Sequence, residues 1–133
     1  MLNFWSTTYT NTVLLVRAGF WAPLFISMYF AFTSAQHGVT AQFSDVVLHA
    51  FAFVYLTVAL CLSHYREAPI YYPSAWMLAY AIFIECVQYF LPGRVFEFGD
   101  IGVDVVGIFV GLLIYRIAIA KVFAVFMERG AEK

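Results

Sequence analysis

Charge is scarce in this chain of 133 residues. Asp, Glu, Lys and Arg together make up 11% of it, against about 25% in an ordinary globular domain. A soluble domain of this length, a single domain's worth of chain, keeps most of its residues at or near water. With so little charge and 64% apolar residues, a soluble fold is excluded and the chain reads as an integral membrane protein. Cysteine is almost absent. Cys61 and Cys86 both fall inside apolar runs, which argues against a secreted disulfide framework. Basic residues are too few, at a net charge of −1, for nucleic acid or an acidic membrane surface to be implied by charge alone. HExxH, CxxC and a phosphate-cradling glycine loop are all missing, so neither metal nor cofactor is expected. The opening MLNFWSTTYT carries no basic n-region, and the apolar run after it reads as a retained span, not a signal peptide.

What is present is apolar chain in four blocks. A helical span takes about 20 apolar residues, so four use about 80 and leave about 50 for ends and links. The spacing predicts an all-α, four-helix transmembrane bundle forming one domain over 1–133, with spans at 11–33, 45–63, 74–91 and 100–120. Arg17 lies near the start of the first span and can snorkel to the interface, and Pro23 can kink that helix. A polar link, Ser34 to Ser44, leads to the second span, with Ser44 or Asp45 as its N-cap. A hinge with two prolines, His64 to Pro73, leads to the third. Pro92-Gly93 turns the chain towards the fourth, and the tail from Lys121 reads as a short interfacial helix.

Four spans put both termini on one side. Arg17, Arg66, Arg116, Lys121, Arg129 and Lys133 belong to that side and only Arg94 to the other. The positive-inside rule then makes both termini cytoplasmic, and the expected location is the bacterial inner membrane. The acids show the opposite bias. Asp45, Glu85, Glu97, Asp100 and Asp104 all map to the outer end. Asp45 and His49 are four apart and share a face, as do Glu85 and Gln88. Asp100, Asp104, Gly107 and Gly111 fall within about 60° of one another at about 100° per residue. At about 1.5 Å per residue, His49 and Asp104 each lie roughly 6 Å below their helix starts, and Glu85 roughly 9 Å below its outer end. Three helices thus offer ionisable groups to one layer, with Arg94 in the loop above.

Such groups are costly against lipid, so they should face one another inside the bundle. One reading is a polar pocket for a ligand head group, built from Asp45, His49, Glu85, Gln88, Arg94, Asp100 and Asp104. The plainer one makes Asp45 and Asp100 N-caps, pairs Glu85 with Arg94 and leaves Gln88 and His49 as interhelical hydrogen-bonding groups. The GxxxG of Gly107 and Gly111 continues the acidic face and points to close packing inside the bundle.

The third and fourth spans read E85-C-V-Q88, then a loop with Arg94, then D100-I-G-V-D104-V-V-G107-I-F-V-G111. This resembles the VanZ-like membrane proteins, whose hallmark is E..Q, a short loop with Arg, and D...N..G...G opening the last helix. D45-V-V-L-H49 and Leu56 resemble the family's second-span pattern, so the likeness covers roughly residues 44–115. Val46, Phe53 and Asp104 stand where the family usually has Lys, Tyr and Asn. The resemblance implies a cell-envelope role. The family's namesake confers low-level resistance to the glycopeptide teicoplanin, with no enzymatic reaction established. Two roles compete: a non-enzymatic protein binding an amphiphilic or lipid-linked ligand at the outer cluster, and an accessory subunit of a larger respiratory, photosynthetic or envelope assembly. The second draws on an aromatic content of 20%, a large apolar surface for packing on protein or lipid tails. Membrane lipids are expected partners in both.

Overall fold

A chain this apolar saturates its backbone hydrogen bonds within helices, because lipid offers none. The computed structural model describes residues 2–33, 39–64, 69–92 and 97–119, with Lys121, Val122 and Val125, and the side chains within them except those of 2–10, 39–45 and 118. All regular structure among them is helical. The elements are α1 (Leu2–Phe32), α2 (Val39–Ser63), α3 (Tyr71–Tyr89) and α4 (Phe98–Ile114), and a π-helical turn, Tyr115–Ile119, continues α4. Lys121, Val122 and Val125 are also helical; the rest of the expected interfacial helix lies outside the described residues.

Three of the helices are long and apolar enough to cross a membrane: α1 over Asn11–Phe32, α2 over Val46–Ser63, and α4 with its continuation over Phe98–Ile117. At 1.5 Å per residue, the 19 residues of α3 reach about 28 Å, close to the thickness of a hydrocarbon core. Its polar residues are turned inwards, as Glu85 and Gln88 are both buried. Outward faces carry many large apolar side chains. Leu15, Phe30, Phe51 and Phe109 are all exposed, as suits a bundle whose solvent is lipid.

All four helices start before the expected spans, α1 at Leu2 and α3 at Tyr71 among them, and the earlier starts of α2 and α4 change which residues cap them. The link to the second span is shorter than expected, because 39–44 is already helical; VTAQFS contains no Gly or Pro to hold the helix back. Neither Ser44 nor Asp45 is therefore an N-cap, since both lie more than a turn inside α2. Asp100 is not a cap either. Glu97 occupies that position, and Asp100 lies in the first turn of α4, where a carboxylate still meets the positive end of the helix dipole. In α3, Tyr71, Tyr72 and Pro73 form the first turn. Proline is tolerated there because the N–H it lacks would have no intrahelical acceptor.

α2 and α4 pack most extensively on one another. The cause is the glycine pair. A Cβ on Gly107 would lie 2.9 Å from both Ala50 O and Phe53 Cβ, and one on Gly111 would lie 2.8 Å from Thr57 Cβ and Val54 O. Only glycine allows so close an approach of the two backbones. The core beside this contact is Phe20, Phe53, Leu56, Leu60, Met77, Ala81, Ile84 and Ile108.

α1 is the least enclosed helix: 6% of its span window is buried, against 39% for α2. Hydrogen bonds to its backbone tie it down. Pro23 has no N–H for the Gly19 carbonyl four residues back, and the Tyr55 hydroxyl of α2 donates to that carbonyl at 2.8 Å. The Tyr80 hydroxyl of α3 donates to Leu24 O at 3.1 Å and lies 2.9 Å from Ser27 Oγ. Gln88 Nε2 donates to Ala31 O at 3.0 Å, one of the four carbonyls left open at the end of α1.

Candidate functional site

α1 and α3 end where α2 and α4 begin, and the ionisable residues gather at that end. His49, nearly three turns into α2, directs Nδ1 at Asp104 Oδ1 across the α2–α4 contact, 3.3 Å away. The closeness follows from the fold: Gly107 lies one turn below Asp104, and the backbones touch there. Asp104 is completely buried, and the His49 side chain is 15% exposed.

Glu85 approaches from α3. Its Oε2 accepts the backbone N–H of Glu97 at 3.3 Å. Glu97 is extended at φ −122°, ψ 116°, and no side chain caps the helix from this position. A carboxylate from another helix thus takes a hydrogen bond at the start of α4, where the dipole favours negative charge. Glu85 too is completely buried. Asp100 lies close enough to interact electrostatically with both buried carboxyls, and Glu85 lies equally within range of His49 and Asp104.

His49, Glu85, Asp100 and Asp104 therefore form one cluster drawn from three helices. It grades from exposed Glu97, through partly exposed Asp100 and His49, to a sealed floor at Glu85 and Asp104. At that floor Glu85 Oε1 and Asp104 Oδ2 are buried without a hydrogen-bond partner among the described residues. Buried polar atoms seldom lack one.

Gln88 belongs to the neighbouring joint, since its amide binds the end of α1. Asp45 is placed only by its backbone, one turn before His49 on α2. Arg94 lies outside the described residues, and with it the expected pairing to Glu85. Among the described residues no group of three or more His, Cys, Asp and Glu could hold a metal ion.

Three groups have no counterpart in the sequence expectations: Thr57 and Tyr80, in the packing below the cluster, and the Glu97 N–H, which bonds Glu85. Thr57 is fully buried, with Oγ1 unpartnered among the described residues; its signal was the i, i+4, i+8 series His49, Phe53, Thr57 on one face of α2. Tyr80 touches the Phe53 ring, with centroids 5.8 Å apart. The Glu97 N–H had no signal, because a backbone donor carries no side-chain signature.

A family model described as VanZ/LLP1 matches residues 3–120. No curated protein matches the chain, and no solved structure does. The match covers all four helices but for the first residue of α1, including every member of the cluster, and the chain belongs to the VanZ/LLP1 family.

Proposed function

We propose that this VanZ/LLP1 membrane protein is a non-enzymatic binder of an amphiphilic or lipid-linked ligand, whose head group enters the cluster of His49, Glu85, Asp100 and Asp104. One observation carries the reading. Two completely buried carboxyl residues on different helices each present an oxygen with no donor among the described residues. Leaving such an oxygen unpaired costs about 1–3 kcal/mol, more if the group is charged, and a ligand offering donors removes that cost. The position suits an amphiphile. Its outer members Asp100 and His49 are partly exposed, and the helices beside them carry exposed apolar residues along which a tail can lie.

The same reading places four spans in a bacterial inner membrane, with both termini cytoplasmic and the cluster opening outwards. Asp45 and Arg94, which sequence position assigns to the same end of the bundle, complete the proposed set. The test is native mass spectrometry of protein extracted gently from its own membrane. The wild type should retain an amphiphile of discrete mass. Glu85→Gln combined with Asp104→Asn should release it while the protein remains inserted and monodisperse. Equal retention by wild type and variant would remove the cluster from the account.

A second reading, the accessory subunit of a larger membrane assembly, is favoured by the sparse burial of α1. Extraction in mild detergent decides it. A partner at fixed stoichiometry supports this role, and a lone monomer or homodimer opposes it.

A further inference from the structure

We propose that the head group taken by the cluster is a primary ammonium. This rests on the ligand-binding reading above and adds the chemistry of the ligand. Three observations lead to it.

The first is the polarity of what is unmet. Glu85 Oε1 and Asp104 Oδ2 are both carboxyl oxygens. An ionised carboxylate only accepts hydrogen bonds. A phosphate or carboxylate head group would bring charge of the same sign into a buried site, where like charges repel most strongly.

The second is the balance of charge at this end of the bundle. Its segments carry Asp45, Glu85, Glu97, Asp100 and Asp104 in sequence, against Arg94, His37 and His49. Five acids stand against at most three cations. Whatever Arg94 contacts, positive charge falls short, and a cationic ligand supplies it.

The third is the number and spread of acceptors. The open oxygens come from α3 and α4, with Asp100 above them in the first turn of α4. A primary ammonium carries three N–H donors and can reach several acceptors at once. A quaternary ammonium has the charge and no donor. The route inward follows the gradient of exposure from Glu97 past Asp100 and His49, and the alkyl chain stays against exposed Val46, Val47 and Val105.

The experiment is a calorimetric titration of the protein in phosphatidylcholine nanodiscs, with empty discs subtracted. Four probes share one decyl chain: decylamine, decyltrimethylammonium, decyl glucoside and decyl phosphate. The expected result is saturable binding of decylamine, tighter than the other three by about tenfold, the worth of one charge-assisted hydrogen bond. Glu85→Gln and Asp104→Asn should each weaken it by a similar factor. Asp100→Asn, at the partly exposed mouth, provides a variant that leaves the buried floor intact and should weaken decylamine several-fold. If decyl glucoside or decyl phosphate binds as tightly as decylamine and is lost in the same variants, the ammonium assignment is wrong and the ligand-binding reading survives. If no probe binds in a way these variants weaken, both fail.

Discussion

His49 and Asp104 show how a single contact can be structural and functional at once. The imidazole is the one described donor to a completely buried carboxyl. Replacing His49 with Ala leaves both Asp104 oxygens open and should lower stability by about 1–3 kcal/mol, read as reversible unfolding in detergent. Gln88→Leu removes only the bond to Ala31 O. Interhelical hydrogen bonds in membranes average about 0.6 kcal/mol and reach about 1.7, and the loss should lie in that range with amphiphile retention unchanged. If Gln88→Leu abolishes retention, Gln88 belongs to the site and not to the joint beside it. At this scale much was legible beforehand. Helical spacing and depth placed His49, Glu85 and Asp104 in one layer, because rise per residue converts sequence position into height. The N-cap expectations at Ser44 or Asp45 and at Asp100 fail because an Asp before an apolar run looks the same whether the helix starts there or up to two turns earlier.

Among the elements, the α2–α4 pair sets the geometry that the cluster needs. Gly111→Leu would drive a side chain into Thr57 and the Val54 carbonyl. Overpacking of this kind costs about 1–3 kcal/mol, and since the nearest obstacle includes backbone, the loss should fall at the upper end. The inward direction of the GxxxG was legible because it continues the face of Asp100 and Asp104. The joint between α1 and α2 was not. Pro23 announced a freed carbonyl, but nothing in the sequence says which hydroxyl of another helix will reach it. The Tyr55 bond to Gly19 O makes a specific cycle possible. Tyr55→Phe should destabilise the wild type by about 1 kcal/mol. It should do almost nothing in a Pro23→Ala background, where the restored N–H binds the same carbonyl. Equal losses in both backgrounds, measured by the same unfolding assay, would deny the link.

For the whole molecule, scarcity of charge is the organising fact. The few ionisable groups cannot be spread over lipid-facing surface at about 2.5–3.5 kcal/mol each near a helix centre. The fold gathers several of them where three helices meet. The bundle and this end of it are legible in the sequence, since composition identifies the solvent and the rare polar residues mark the interior. It could not find the sealed floor, which depends on how far the glycines let α2 and α4 approach. The bias of Arg and Lys towards the terminal side predicts that reporters fused at either end of the chain will both read cytoplasmic. A split result would require an odd number of spans and would place the cluster elsewhere. The claim that this cluster holds a head group is tested most directly by photo-crosslinking in native membranes with a decylamine probe that carries a diazirine beside the nitrogen. Peptide mapping should place the label on segments containing His49, Glu85 and Asp100–Asp104, and Glu85→Gln should remove it. Labelling confined to the outer face of α1, or unchanged in that variant, would contradict the account.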